Sequence, residues 1–237
     1  MREEYTRDNY PSFGKKYAGE KAIISLTSWK ARIDTVSKTL YSLLKQCPGF
    51  HIVLVLSEEE FPMMMDEMPH NLMLFINNNL IEVLWVYKNY KAFKKVLFTM
   101  DKYRDVPVIS ADDDCIYIRN YAQELYDEWE KNKDCIITAQ KDHRGKYAWS
   151  RGPATLFRPY CFFEDGLKFI EGCFKNPNDD AYLCALKDSL GIKIIDTKIG
   201  VEKKVLIFHD TTKALSKQHA YTLRDFDFFN KLVKVKS

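Results

Sequence analysis

The sequence lacks the long apolar runs that mark membrane-spanning proteins. A transmembrane helix needs about 20 consecutive apolar residues, whereas the longest candidates here, 72–76 and 81–87, are separated by three asparagines. The N-terminal segment is polar and of mixed charge, without the apolar stretch of a secretory signal. These absences predict a cytoplasmic protein.

Cysteine motifs for metal binding or redox chemistry are also missing. The six cysteines form no CxxC pair, and none of their spacings is typical of a zinc site. Cys115, Cys135 and Cys184 lie within apolar stretches, where cysteine behaves as a small buried hydrophobe. We therefore expect reduced thiols.

Two further absences restrict the function. The formal net charge is only +3, and nucleic-acid-binding domains usually carry a denser basic stripe, so we expect no nucleic-acid partner. Neither G-x-G-x-x-G nor G-x-x-x-x-G-K-[ST] occurs, which leaves the dinucleotide-binding and P-loop folds without their fingerprints.

The composition, by contrast, supports a large core. With 237 residues, 46% of them hydrophobic and 29% charged, the chain is typical of a globular protein. No repeat, low-complexity tract or clear linker interrupts it. We expect a single domain over residues 1–237.

Strand and helix patterns alternate in the first half of the chain. Apolar runs at 22–27, 51–57, 81–87 and 106–110 predict buried strands. The segments between them, 34–46, 58–79 and 92–103, predict helices. This order predicts an α/β fold, with a mainly parallel sheet flanked by helices. Ligands of such sheets gather at the carboxyl ends of the strands.

The second half is less regular. Helices are predicted at 119–132, 160–174 and 179–190, where Gly191 ends the last one. Short strands are predicted at 135–138, 192–195 and 205–208, and a basic, aromatic loop at 141–158. The tail from 211 to 237 carries no predicted element.

Three consecutive carboxylates, Asp112, Asp113 and Asp114, follow the fourth predicted strand. Such a cluster is unfavourable unless a cation compensates it. In an extended segment Asp112 and Asp114 point to the same side, so both could bind Mg²⁺ or Mn²⁺, which prefer oxygen ligands and retain substrate phosphates. A solvated acidic turn or a helix cap is the alternative, and the position after a strand of an α/β pattern favours the metal.

A second acidic pair, Asp179 and Asp180, follows Asn178 at the start of a predicted helix. Asn178 is a good N-cap, and acids in a first helical turn complement the helix dipole. These residue types therefore need no further role. The functional alternative is a general base, a carboxylate in a cleft that takes a proton from an acceptor hydroxyl.

Single residues add weaker candidates. His209 follows a predicted strand and could be a third metal ligand, although a lone histidine is more often structural and Asp210 could simply be its partner. Trp149 and Tyr147 could stack on a sugar ring or simply pack in the core.

Basic residues near the predicted strand ends form another candidate group. Arg32, Lys94 and Lys95 could together neutralise a diphosphate, although each alone is an ordinary surface charge. The loop region adds Arg144, Lys146, Arg151 and Arg158.

The order of these motifs resembles a group of bacterial glycosyltransferases with the GT-A fold. These enzymes are related to the family 2 type and serve polysaccharide or lipooligosaccharide assembly. The resemblance covers roughly residues 20–210. It is carried by the stretches ISLTSWKARIDTVSKTLYSLLKQ, VLVLSEEEFP, FKKVLFTMDKYRDVPVISADDDCIY and NPNDDAYLCALKDSLGIKI.

The resemblance implies roles for these residues. Asp112 and Asp114 would be the ends of a DxD motif, with Asp114 on the metal and Asp112 nearer the ribose or the metal. Asp180, with Asp179 beside it, would be the catalytic base of an inverting enzyme. His209 would be a late metal ligand. Thr27, Ser28 and Arg32 would form the first nucleotide-binding loop.

Together these inferences define an expected site. The nucleotide sugar would contact Thr27, Ser28, Arg32, Lys94, Lys95, Asp112 and Asp113. The metal, Mn²⁺ or Mg²⁺, would be bound by Asp112, Asp114 and His209, and the acceptor by Trp149 and Arg151. Residues 20–115 would bind the donor, residues 116–210 would bind the acceptor and carry catalysis, and residues 211–237 would be a tail. Two features depart from the family pattern: only Glu58 stands where an acid would hold the nucleobase, and the acceptor loop is reduced to Arg151-Gly152-Pro153.

The expected activity is transfer of a sugar from a nucleotide sugar to a hydroxyl of a saccharide or glycolipid acceptor. A metal-dependent phospho- or nucleotidyltransferase, or a non-catalytic nucleotide-sugar-binding protein, is the alternative. The basic residues 231–237 suggest weak peripheral association with the inner membrane face, because each lysine near an anionic surface contributes about 1 kcal/mol. A frayed, solvated tail is the alternative there.

Overall fold

The secondary structure follows the chain as alternating strands and helices. The computed structural model describes residues 5–46, 48–144, 146–150, 154–162, 166–197, 205–207 and 222–234. The strands are β1 (Ser12–Gly14), β2 (Ala22–Thr27), β3 (Phe50–Ser57), β4 (Glu82–Val86), β5 (Val108–Ser110), β6 (Cys115–Tyr117), β7 (Ile136–Thr138), β8 (Lys141–Arg144), β9 (Tyr147–Ser150), β10 (Thr155–Phe157), β11 (Ile194–Asp196) and β12 (Val205–Ile207). The α-helices are α1 (Val36–Leu44), α2 (His70–Asn77), α3 (Lys94–Lys102), α4 (Tyr121–Lys131), α5 (Asp179–Ser189) and α6 (Leu223–Lys234). Short 3₁₀ helices cover Met64–Glu67, Lys91–Phe93 and Ile170–Phe174.

One large sheet organises the chain. Within the described ranges it has eight strands in the order β1-β4-β3-β2-β5-β10-β7-β11. Neighbours are parallel from β4 through β3 and β2 to β5, and β7 and β11 are also parallel. β1 and β10 run antiparallel to their neighbours. The predicted α/β fold with a mainly parallel sheet is confirmed.

Helices cover both faces of this sheet. Successive strand side chains point to opposite faces. Ile23 of β2 therefore packs in one core layer, and Ile24 and Leu26 pack in the other. The first layer includes side chains of α3, α5 and α6, and the second includes side chains of α1, α2 and α4. Burial on both faces is why the central strands are apolar without alternation.

The interpretation of residues 141–158 as a loop was wrong. β8 and β9 form an antiparallel hairpin, and β10 pairs with both β5 and β7 inside the large sheet. Tyr147 and Trp149 alternate along β9, and both are buried. This short period-2 pattern is typical of a strand, but the neighbouring basic residues obscured it.

The prediction of a helix at 160–174 was also wrong. In the described residues of this segment, turns precede the 3₁₀ helix Ile170–Phe174. Gly172 packs closely against α6, since a Cβ at this position would lie 2.8 Å from Leu232 Cδ2.

The tail holds a helix that was not predicted. α6 buries Phe226, Phe229 and Val233, at helical spacing, in the core layer that it shares with α5. Residues 231–234 therefore end a packed helix and are not a frayed tail. The stop predicted at Gly191 is confirmed, since this glycine follows α5 with a φ of +64°.

Two further expectations concern cysteine and membrane spanning. Cys115, Cys135, Cys161, Cys173 and Cys184 are free thiols, and all but Cys135 are buried. Among the described residues, no helix combines the length and apolarity needed to cross a bilayer.

Candidate functional site

The carboxylate cluster lies between β5 and β6, at the carboxyl end of a central strand of the sheet. Helix α1 holds its backbone, because the buried Thr39 Oγ1 lies 2.9 Å from the Asp113 carbonyl and 2.8 Å from the Cys115 carbonyl. The Asp112 backbone N–H donates to Tyr117 Oη at 2.7 Å. These contacts fix the direction in which each of the three aspartates points.

Asp113 points into the protein. It is buried, and it accepts hydrogen bonds from Ser28 Oγ at 2.6 Å and Arg32 Nη1 at 2.7 Å. The same Arg32 nitrogen lies 2.9 Å from Asp114 Oδ2. Burial by itself lowers the pKa of Arg32, but Asp113 and Asp114 outweigh burial and raise it. The loop after β2 is thus joined to the carboxylate cluster by an ion pair.

Lys95 joins the two acidic segments that the sequence singled out. Its Nζ lies 2.7 Å from Asp112 Oδ1 and 3.6 Å from Asp179 Oδ2. Burial alone would lower the pKa of Lys95, but Asp112 and then Asp179 hold it well above its usual value. One cation at the start of α3 therefore brings the segment after β5 and the start of α5 into one site.

Asp179 and Asp180 occupy the first turn of α5. Asn178 caps this helix, and its side-chain oxygen accepts from the Ala181 N–H at 3.0 Å. The predicted N-cap is confirmed. Burial raises the pKa of Asp179, against the opposing effect of Lys95.

Asp180 faces the hairpin of β8 and β9. Its Oδ1 accepts a hydrogen bond from Trp149 Nε1 at 3.0 Å. Asp180 is exposed to solvent, while the protein atoms around its carboxyl group partly desolvate it. This environment, and then the negative charge of Asp179, raises the pKa of Asp180 to about 7.

The carboxylate cluster fits a hard divalent cation. Among the described residues, Asp112, Asp114 and Cys115 place their ligand atoms within 4.8 Å of one another. The two carboxylates are the oxygen donors that Mg²⁺ and Mn²⁺ prefer. Cys115 is buried, and its pKa is raised, first by burial and then by Asp112, so it suits such an ion poorly. Asp112 and Asp114 are therefore the residues that would hold the metal.

Several predicted site residues lie elsewhere or outside the described ranges. Lys94 is fully buried and donates to Glu60 and Asn89, away from the contacts of Lys95. Thr27 Oγ1 donates to the Val55 carbonyl at 2.7 Å, between two parallel strands. Arg151 and His209 are outside the described residues.

Two residues without a recognised motif support this site. Thr39 and Tyr117 hold the backbone of the carboxylate cluster by the contacts described above. Thr39 is a buried polar residue on the apolar face of α1, which was the available signal. Tyr117 follows the aspartates in an apolar stretch and carried no comparable signal.

Comparisons with known proteins bear on the fold. No protein-family model and no curated protein sequence matches the chain. Two solved structures of the glycosyltransferase GlyE from Streptococcus pneumoniae TIGR4 are similar to it, with 12% sequence identity in each case. One has a TM-score of 0.52 over 86% of this chain and 57% of that chain. The apo form has a TM-score of 0.51 over 81% of this chain and 55% of that chain.

These similarities show the fold. The chain shares the fold of a glycosyltransferase, in agreement with the expected α/β fold built on a mainly parallel sheet flanked by helices. It spans just over half the length of the matching chains.

Proposed function

We propose that this protein transfers a sugar from a nucleoside-diphosphate sugar to a hydroxyl of a saccharide or glycolipid acceptor, with inversion. The observation that carries the proposal is the position of Lys95 between Asp112 and Asp179. It places a carboxylate cluster suited to a metal diphosphate beside a second carboxylate pair suited to base catalysis, on a fold shared with a glycosyltransferase.

The donor half of the site would be formed by the segments after β2 and β5. Arg32 and Lys95 already neutralise the aspartates and would offer their remaining N–H groups to the diphosphate. Asp112 and Asp114 would hold Mn²⁺ or Mg²⁺, which when bound supplies positive charge to the leaving nucleoside diphosphate. Ser28 and Asp113 would keep Arg32 in place.

A neighbouring pocket would suit the base of the donor. It has a volume of about 480 Å³ and is lined by Glu58, Glu59, Pro62, Tyr87, Lys88 and Phe174. Glu58 and Tyr87 directly follow β3 and β4, so the pocket opens at the carboxyl edge of the sheet, as does the carboxylate cluster. A planar base could stack on the partly exposed Tyr87 or Phe174 rings.

Asp180 is the proposed general base. It would take the proton from the acceptor hydroxyl while that oxygen attacks the anomeric carbon and the nucleoside diphosphate leaves. Trp149 N–H would hold the carboxylate in orientation through the hydrogen bond at 3.0 Å. A pKa raised towards neutrality makes Asp180 a stronger base than an ordinary aspartate.

The test begins with thermal shifts of the purified chain in Mn²⁺ with UDP-, GDP-, CMP- and dTDP-sugars. A ligand that binds only the folded state raises its apparent stability by RT ln(1 + [L]/Kd). The stabilising donor is then incubated with saccharide acceptors, and the released nucleotide is identified. Nucleoside diphosphate together with a glycosylated acceptor supports the proposal. Monophosphate or pyrophosphate released from a UDP-, GDP- or dTDP-sugar would indicate a phospho- or nucleotidyltransferase, and binding without turnover a non-catalytic protein. Monophosphate released from a CMP-sugar does not make this distinction, because sugar transfer from such a donor also leaves CMP.

The cellular setting we propose is bacterial surface polysaccharide or glycolipid synthesis at the inner membrane face. Lys231 and Lys234 are exposed on α6, whose opposite side is buried. Their charges would favour anionic lipid. Flotation with anionic liposomes at low salt should carry a fraction of the protein upward, and Lys231→Gln/Lys234→Gln should reduce that fraction. No flotation of the wild type would exclude this association.

A further inference from the structure

Helix α6 is attached to the turn that carries Asp179 and Asp180. Asp225, in the first turn of α6, is buried. Its Oδ1 accepts from Asn176 Nδ2 at 2.9 Å, and its Oδ2 accepts from Asn178 Nδ2 at 3.3 Å. Oδ2 also accepts from the Thr222 backbone N–H at 2.6 Å. A single carboxylate therefore ties the start of α6 to the segment that leads into α5.

Asn178 transmits this attachment to α5. It is the N-cap that accepts from the Ala181 N–H, and its own backbone N–H donates to Asn176 Oδ1 at 3.1 Å. Asn176, Asn178 and Ala181 are all buried, as is Asp225. Because the cap defines the first turn, the position of Asn178 determines where the two aspartates of that turn lie.

Helix α6 also contacts strand β9, which carries Trp149, the hydrogen-bond donor to Asp180. Phe226 stacks on Tyr147 of β9, with ring centroids 5.2 Å apart. Tyr147 Oη donates to Asp227 Oδ1 at 2.6 Å. Trp149, two residues further along β9, donates to Asp180. α6 is thus joined both to the helix that carries Asp180 and to the strand that carries its hydrogen-bond donor.

We infer that Asp225 is a positioning residue for Asp180, acting through the Asn178 cap. This inference rests on the proposed role of Asp180 as general base. Helix α6 is then a required part of the catalytic geometry. Asp225 exerts its effect on the chemistry only by fixing the first turn of α5.

The test compares Asp225→Asn with Asp134→Asn, which removes an exposed carboxylate from a turn before β7. Asp225→Asn should lower kcat about tenfold or more while donor affinity, measured by calorimetry, stays within about twofold. In an Asp180→Asn background the same change should lower kcat less than about twofold further, because residues that act through one group are not additive. Asp134→Asn should behave as wild type in both backgrounds.

A second measurement does not depend on activity. Hydrogen exchange of the Ala181 amide should accelerate in Asp225→Asn and stay unchanged in Asp134→Asn, since the cap that protects this amide is loosened. If Asp225→Asn does not fold, Asn176→Ala removes one of the contacts to Asp225 and is measured in the same way.

The outcomes separate this inference from the proposed function. Unchanged Ala181 exchange, equal losses of kcat in both backgrounds, or a parallel loss of donor affinity would overturn the positioning role. Full kcat in Asp180→Asn would instead remove Asp180 as the base. In that case the exchange measurement still decides whether Asp225 holds the turn.

Discussion

Lys95 Nζ lies 2.7 Å from Asp112 Oδ1, and the same ammonium group lies 3.6 Å from Asp179 Oδ2. The two carboxylates come from different segments, and Lys95 is the cation that allows them to lie close together. The side chains of Lys95 and Asp179 are only 14% and 13% exposed, so water screens their charges less than at an open surface.

The first prediction concerns this lysine. Lys95→Gln should lower the free energy of unfolding by about 1–3 kcal/mol, because it leaves partly buried carboxylates without their charged donor. It should also weaken donor binding, since a positive charge near the diphosphate is lost. Chemical denaturation and calorimetry measure the two effects. Lys102→Gln is unsuitable as a control because Lys102 pairs with the buried Glu82. Lys131 is substituted instead, since it is exposed and pairs with Glu128 on the surface of its own helix. Unchanged donor affinity would remove Lys95 from the binding site.

The second prediction separates the aspartates of the cluster. Asp114→Ala should abolish the Mn²⁺-dependent part of donor binding, because Asp114 is the proposed metal ligand. Asp113→Ala should affect donor binding less and cost about 1–3 kcal/mol of stability, because it leaves Arg32 and Ser28 without a buried acceptor. Calorimetry measures donor affinity with Mn²⁺ and again after EDTA treatment, and the difference is the metal-dependent part. Equal donor affinity in wild type and Asp114→Ala would exclude the metal assignment.

The third prediction concerns the base. Asp180→Asn should bind donor and metal normally but lower kcat by about 10²–10⁴, as expected for a lost general base. Asp179→Asn should chiefly weaken acceptor binding or stability, because it loses the charge pair with Lys95 and about 0.3–1 kcal/mol of helix dipole interaction. If Asp179→Asn loses kcat and Asp180→Asn keeps it, the two roles are reversed. If both keep it, the pair is only part of a helix start.

The fourth prediction concerns how the ionisation of Asp180 makes kcat and stability depend on pH. A base acts when deprotonated, so kcat should rise with pH and level off above about 7, where Asp180 has lost its proton. The linked effect on stability has the opposite sign. A raised carboxyl pKa means that the folded state retains a proton that the unfolded state has released. Between pH 4 and about 7 the unfolding free energy should therefore fall as pH rises, and less steeply in Asp180→Asn.

The fifth prediction lies far from the site and tests the sheet. Glu82 is buried and accepts from His51 Nε2 at 2.7 Å, Lys102 Nζ at 2.7 Å and Tyr103 Oη at 2.6 Å. Burial alone would raise the pKa of Glu82, but these donors lower it to about 2. Its stabilising effect is therefore present above pH 4.5 and is lost as pH falls towards 2.

Substituting Glu82 should remove its contribution to the free energy of unfolding. Glu82→Gln should cost about 3–5 kcal/mol, because it breaks a buried charge pair. Urea unfolding at pH 7 and at pH 3 measures it, and the difference between wild type and variant should shrink at the lower pH. A constant difference would contradict the role of the charge.

Local patterns in the sequence determined much of the first half of the molecule. The runs at 22–27, 51–57 and 81–87 are apolar because both faces of the sheet are covered, and the strands β2, β3 and β4 follow them closely. The Asn178 cap was likewise readable, because a cap depends on residues within one turn. The hairpin of β8 and β9 and helix α6 were missed, since mixed basic and aromatic residues weaken the periodic signal.

For the site, too, some features follow from the local sequence and others only from tertiary packing. The sequence by itself determined that one acidic group follows a strand and another begins a helix, and that basic residues lie in neighbouring segments. Only the tertiary structure decided that Lys95 rather than Lys94 joins them, because adjacent helical residues point about 100° apart and packing selects which one faces the site. It also decided that Asp113 turns inward to Arg32, that Trp149 holds Asp180, and that Asp225 holds Asn178. Those pairings join residues far apart in the chain, and their distances depend on how the sheet and α6 pack rather than on any local preference.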